Sequence, residues 1–327
     1  MAGIKEVAEA AGVSTATVSR VLTNGQHVRP EVRQRVMAAV ESLQYRPNLV
    51  ARSLRSQHSK TLGLIVSDIR NPFFTSLSRA VEDTAYASGY SVFLCNTDED
   101  LDKERIYLQL MRDTNVAGVI ISPTSSLQSD HFRWYLDIPV VVVDRAMPDL
   151  EVDTIVLDNT ASAYRLTSHL IERGFQRIGA LFGENTSTGR QRYQGFVQAL
   201  NEHQLPVVPE LVRSIPPRVA SGYQATADLL ALDPPPTAIL TSNSLTLEGA
   251  LMAIRDRQLR IPDDVALVGF DETPWTALVQ PAVTLIAQPT YDIGKTAAEM
   301  LLRRIADPKR PVRQITLYGK LMDRGSC

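Results

Sequence analysis

Cysteine is almost missing from this chain: two in 327 residues, Cys95 and Cys327. With only five histidines, and no Cys or His spacing of the kind that grips zinc, neither a disulfide-framed secreted domain nor a cysteine-histidine metal site is expected. No apolar run reaches the length of a membrane span. Met1 to Leu22 is charged and amphipathic where an export leader would need an apolar core. Also missing are a Gly-x-x-x-x-Gly-Lys loop, a Gly-x-Gly-x-x-Gly turn, a His-Glu-x-x-His helix and a Gly-x-Ser-x-Gly elbow, so the common signatures of nucleotide and hydrolase chemistry are absent. The expectation is a cytoplasmic protein that is not an enzyme and needs no cofactor or metal.

Net charge is small too, −2, but it is unevenly spread. Residues 1–60 carry nine Lys or Arg against four Asp or Glu, and the remainder carries 25 against 32. A basic amino-terminal module on an acidic body suits the neutralisation of nucleic-acid phosphates, with affinity that falls as salt rises.

Within that module Ile4, Val7, Ala8 and Ala11 recur at helical spacing. Gly12 is placed to end this helix in a left-handed turn, and Ser14 to cap the next one. The second helix, Thr15 to Leu22, turns Val18, Val21 and Leu22 inward and Thr15, Ala16, Thr17, Ser19 and Arg20 outward. A short polar face with one arginine fits the major groove, where Arg can pair bidentately with guanine; it fits a solvated helical hairpin equally well. Pro30 opens a third helix whose core stripe is Val32, Val36, Ala39, Val40 and Leu43, flanked by Arg29, Arg33, Arg35 and Arg46.

Asn48 to Arg55 has a helical pattern, with Asn48 as cap and Val50, Ala51 and Leu54 on one face. Yet it is shorter than the roughly 12–15 residues that even marginal helicity in water requires. Such a segment orders only against a partner. Leu54 then reads as a wedge between base steps in a minor groove, or as an apolar anchor for the linker.

From Thr61 onward, apolar runs alternate with amphipathic stretches of helix length. Leu62 to Val66, Ser91 to Leu94, Val116 to Ser122 and Val140 to Val143 read as strands buried on both faces, with helices over Phe74 to Ala87 and Leu101 to Met111. A second series starts at Ile155 to Leu157 and repeats the alternation through Val265 to Phe270. Two series predict two α/β lobes with parallel sheets. The tail, with Thr284 to Pro289, a helix over Tyr291 to Ile305 and a strand over Arg313 to Leu321, is expected to return to both lobes and form a hinge.

Parallel sheets bind ligands at the carboxyl ends of their strands. The residues there include Phe73, Phe74, Asp144, Arg145, Asp158, the loop Gly183 to Arg192, Asn243 and Asp271. Asp, Asn and Arg can bridge neighbouring hydroxyls while an aromatic face covers C–H bonds, a combination suited to sugars. Arg190 and Arg192 stand close together, and Arg70 and Arg145 face the same region if the fold is as expected. That excess of positive charge points to an anionic sugar, unless the arginines of the helix after Arg190 face solvent or a partner.

Val13-Ser14, Thr17-Val18-Ser19-Arg20-Val21-Leu22 and Tyr45-Arg46-Pro47-Asn48 with Ala51, Arg52 and Leu54 resemble the headpiece and hinge of the lactose-repressor (LacI-type) family, and the similarity runs through nearly the whole chain. The resemblance implies a helix-turn-helix headpiece over residues 1–46, a hinge helix and linker over 47–60, and a two-lobe effector domain over 61–327 that is similar to periplasmic binding proteins. It implies a homodimeric repressor on a pseudo-palindromic double-stranded operator. Ser14, Thr15, Ala16, Thr17, Ser19, Arg20 and Asn24 would lie toward DNA from the headpiece, and Asn48, Ala51 and Leu54 from the hinge. It also implies effector contacts from Phe73, Phe74, Asp158, Arg192, Asn243, Asp271 and Gln288. Arg145 and Arg190 join this set from the charge argument, which makes a sugar acid such as gluconate or ketogluconate the expected inducer. Three residues depart from the family pattern: Thr23 replaces a frequent Asn, Arg29 a Ser or Thr, and Ser244 an Asp. With only Met322 to Cys327 after Leu321, no heptad tail for tetramers is expected.

Overall fold

The computed structural model describes residues 3–22, 28–45, 59–124, 137–147 and 149–327. It divides into two compact units, Met1–Ser59 and Lys60–Cys327.

The first unit is a three-helix cluster of α1 (Ile4–Ala11), α2 (Thr15–Leu22) and α3 (Pro30–Ser42). Its core is built from the predicted stripes: Val7, Ala8, Ala11, Val18, Val21, Val36 and Ala39 are buried, with Val13, Val32 and Leu43 packed around them. Gly12 takes φ 64° and hands the chain from α1 toward α2, while the Val13 N–H donates to the Ala8 carbonyl at 2.9 Å. This is the left-handed stop that a Cβ would penalise. Asn24 and the hinge residues Asn48, Ala51 and Leu54 lie outside the described residues.

The second unit holds two six-stranded sheets. Lobe 1 contains β1 (Thr61–Val66), α4 (Pro72–Ala87), β2 (Ser91–Asn96), α5 (Leu101–Asp113), β3 (Gly118–Ile121), β4 (Val140–Val143) and β5 (Asp153–Leu157). Lobe 2 contains α6 (Asn159–Glu172), β6 (Ile178–Gly183), α7 (Ser187–Glu202), β7 (Val212–Ile215), α8 (Val219–Leu230), β8 (Ala238–Thr241), α9 (Ser244–Asp256), β9 (Ala266–Phe270), α10 (Pro274–Leu278) and β10 (Thr284–Ala287). The chain then returns to lobe 1 with α11 (Thr290–Ala306) and β11 (Gln314–Leu317), and to lobe 2 with β12 (Lys320–Met322). The strand orders are β11-β5-β4-β3-β1-β2 and β12-β10-β9-β8-β6-β7, parallel throughout except for β12 against β10.

The period-2 alternation of strands explains the layering. In β1, Leu62, Leu64 and Val66 face α4 and α11, while Ile65 faces the opposite layer with Leu108 and Met111 of α5. In lobe 2, Ala238 and Leu240 of β8 pack toward α6 and α7, and Ile239 toward α9. Helices α6 and α7 approach so closely that a Cβ on Gly195 would stand 2.1 Å from the Thr160 carbonyl oxygen.

Three expectations are corrected. Strand β2 is an edge strand, not one covered on both faces: Phe93 and Leu94 are 48% and 47% exposed, and among the described residues no strand pairs beyond it in the sheet. Ile155 to Leu157 closes the first series instead of opening the second, since β5 pairs with β4 in the sheet of lobe 1. The single strand expected over Arg313 to Leu321 is split at Tyr318-Gly319 into β11 and β12, one for each sheet. The chain therefore crosses between lobes three times, after β5, β10 and β11.

Candidate functional site

The headpiece presents a small polar face. Ser14 Oγ accepts from the Thr17 N–H at 3.2 Å and lies 3.0 Å from Thr17 Oγ1, so the expected cap is made and one side of α2's first turn is fixed. Ala16 and Arg20 are exposed, with Thr15, Thr17 and Ser19 partly so. The inward Val18 and Val21 set this orientation.

In the second unit a cleft lies between the lobes at the carboxyl ends of both sheets. Its cavity is narrow, about 50 Å³ and partly open to solvent, below the roughly 300–1,000 Å³ of small-molecule sites. Phe73 and Phe74 form the apolar part of the lobe 1 wall, packed edge to face with ring centroids 4.9 Å apart. They follow Asn71, whose Oδ1 accepts the Phe73 N–H at 3.0 Å and starts α4 at the cleft.

The lobe 2 wall is organised by hydrogen bonds. Asp271 follows β9 at φ 73°, a left-handed turn that Asp tolerates better than most residues. Its Oδ1 accepts from Gln288 Nε2 at 2.5 Å and its Oδ2 from the Ser244 N–H at 3.1 Å. Arg192 reaches in from α7, donating from Nε to Asn159 Oδ1 at 2.8 Å and from its guanidinium to the Ser242 carbonyl, above the Phe270 ring. Burial lowers the Arg192 pKa against the opposing pull of Asp271 and Asp144. Asn243 caps α9, its Oδ1 accepting the Thr246 N–H at 2.9 Å, and also lines the cleft.

Of the predicted effector set, Phe73, Phe74, Arg145, Arg192, Asn243, Asp271 and Gln288 line this cleft. Asp158 and Arg190 do not. Asp158 caps α6 by accepting the Ala161 N–H at 2.9 Å, and the cleft-side role at that corner passes to its neighbour Asn159, which steadies Arg192. Arg190 is exposed; two positions along a helix is about 200° around it, so Arg190 and Arg192 leave opposite sides of α7.

The expected surplus of positive charge is also absent. Arg70 is exposed and pairs with Asp68 at 2.9 Å, outside the lining. Arg145 donates to Glu99 Oε2 at 2.8 Å and to the Pro123 carbonyl at 3.0 Å. Burial works to lower its pKa, but the bond and charge of Glu99 prevail and raise it. The lining thus sets Arg145 and Arg192 against Asp68, Glu99, Asp144 and Asp271. Sequence reading passed over Glu99, because its partner is 46 residues away.

Comparison with known proteins gives a consistent result. Residues 3–48 match "Bacterial regulatory proteins, lacI family", and residues 167–327 match "Periplasmic binding protein-like domain". The HTH-type transcriptional repressor PurR of Mannheimia succiniciproducens is 35% identical, across 100% of this chain and 98% of that protein. Among solved structures, the lac repressor dimer bound to operator and the anti-inducer ONPF superposes with a TM-score of 0.87 at 26% identity, covering 99% of this chain and 98% of that one. A LacI family regulator from Enterococcus faecium with bound ribose superposes with a TM-score of 0.74 at 30% identity, covering 81% and 98%. Among the described residues no helix is long and apolar enough to cross a membrane, and no cluster of His, Cys, Asp or Glu could hold a metal ion.

Proposed function

The chain belongs to the lacI family of bacterial regulatory proteins, and on that premise we propose that it is a homodimeric repressor whose grip on a pseudo-palindromic operator is set by a neutral, polyhydroxylated small molecule held between the lobes. The observation that carries the ligand class is the hydrogen-bonded lobe 2 wall, with Asp271, Arg192 and Asn243 fixed opposite the Phe73 and Phe74 rings. Aligned carboxylate, guanidinium and amide groups match hydroxyls that donate and accept, and apolar rings match C–H faces.

This revises the sugar acid expected from the sequence. Arg145 is already neutralised by Glu99 and Asp68 by Arg70, and Arg192 faces Asp144 and Asp271, so a ligand carboxylate would find no surplus of positive charge. The relative with bound ribose supports the neutral class.

In this reading α2 lies in the major groove, with Arg20 reading a base and Thr15, Ala16 and Thr17 close to base edges or phosphates. Ligand and operator then influence each other reciprocally. A dimer is supported by the apolar edge of lobe 1, where Phe93 and Leu94 of β2 and Ile106 and Leu110 of α5 are exposed; such concentrations mark protein interfaces.

A thermal-shift panel of neutral sugars, sugar acids and nucleobases on the purified chain tests the ligand class, because a compound that binds the folded state raises its melting temperature. Stabilisation by a neutral sugar, with release of selected operator DNA, is expected; stabilisation by acids or nucleobases alone would overturn the reading. Arg20→Ala should weaken binding to the selected operator by about 1–3 kcal/mol and relax one base position. Equal loss on random DNA would remove Arg20 from base reading.

A further inference from the structure

We infer that Ser244 and Asn71 form a latch across the cleft that holds the lobes together. Ser244 Oγ in lobe 2 donates to Asn71 Oδ1 in lobe 1 at 3.1 Å. Both ends are fixed by their own lobes. Asn71 Oδ1 also accepts the Phe73 N–H that starts α4, and the Ser244 N–H is held by Asp271 Oδ2. Gln288, on the segment that crosses between lobes after β10, holds the other oxygen of Asp271.

The path therefore runs from lobe 1 through Ser244 to the carboxylate proposed to meet the ligand, and on to a crossing segment. Ser244 is buried and Asn71 half-buried, so the serine end of the bond is shielded from competing water. The Ser244 hydroxyl supplies the proton that the latch needs. Its loss shifts the balance between closed and open lobes by roughly three- to tenfold, the weight of one neutral hydrogen bond in an equilibrium.

The inference rests on the cleft being the moving part of the proposed regulator, but its test needs neither ligand nor operator. Hydrogen exchange is measured on the full, ligand-free chain as wild type, Ser244→Ala, Asn71→Ser and the double variant, with melting curves to verify folding. Serine at 71 keeps a helix cap but is too short to reach across. Each single variant should speed exchange about three- to tenfold on both walls, over 72–77 and 186–192, and the double variant should do no more than either single. Changes confined to the mutated turn, or effects of the two singles that simply add, would overturn the latch. Failure of the sugar panel would leave this result unaffected, so the two readings fail separately.

Discussion

Asp144 and Asp271 occupy matching places in the two lobes. Each follows an inner parallel strand, each takes a left-handed φ, 67° and 73°, and each enters the same cleft. Their surroundings differ. Both oxygens of Asp271 are bonded, one to the Ser244 N–H of lobe 2 and one to Gln288 on the crossing segment, whereas the nearest partners of Asp144 are looser, Ser122 Oγ at 3.4 Å and Arg145 Nε at 3.5 Å. Burial raises the Asp144 pKa, with the arginines Arg145 and Arg192 acting against it. Lobe 2 thus offers a preorganised wall, and lobe 1 an apolar plate beside charges that mainly satisfy one another. One lobe can define ligand orientation while the other closes on it.

The largest expected effect strikes the ordered wall. Asp271→Ala removes the acceptor of Gln288 and of the Ser244 N–H, and should cost about 2–4 kcal/mol in chemical denaturation along with all measurable ligand binding. A loss no greater than that of Asp144→Ala would erase the contrast between the lobes.

Next in size is Glu99→Gln, which releases Arg145 from its main partner. It should destabilise by about 1–3 kcal/mol, since Arg145 keeps the Pro123 carbonyl, and should let gluconate raise the melting temperature of the variant. If gluconate stabilises the native chain equally, lobe 1 is not self-neutralised.

A smaller effect concerns Glu104, buried in α5, whose Oε2 accepts the Thr124 N–H at 2.6 Å. Burial raises its pKa from 4.5 to about 7. Between those values the folded chain holds a proton that the unfolded chain releases, so this group makes stability fall as pH rises through the window. Glu104→Gln should flatten the melting-temperature profile between pH 5 and 7.5, values chosen to bracket roughly that range. An unchanged slope would mean that the carboxyl is already ionised in the fold.

The smallest effect is assigned to Arg190→Ala, where stability and ligand affinity should stay within about 0.5 kcal/mol of wild type, as at ordinary surface positions. A large loss in calorimetric binding would return Arg190 to the ligand set.

These contrasts also mark how far the sequence could be read. Local periodicity located α1 to α3 and the inner strands, because burial on one or both faces leaves a direct pattern in residues such as Val7, Val18, Leu64 and Val141. It did not assign β5 to a sheet, since Ile155 looks the same beside β4 as beside β6. Nor did it separate an edge from a centre: Phe93 and Leu94 are as apolar as Val142. Placing polar residues after strands located Arg192 and Asp271, but one position decided between Asp158 as a cap and Asn159 as a support. The charge of the cleft was misjudged for a related reason. Glu99 and Arg145 come together only through the sheet, and a basic residue read alone carries no sign of its partner.

The threefold crossing has a consequence for biosynthesis. Strand β11 and helix α11, which cover one face and one edge of the first sheet, are encoded after all the inner strands of the second lobe. A ribosome adding about 5–20 residues per second would therefore expose the stripe of Leu64, Val141 and Ile155 for on the order of ten seconds before Leu301 arrives to cover it. The nascent lobe 1 is at its most vulnerable while its neighbour is being made, and the residues that let both halves settle are translated only after the inner strands of both.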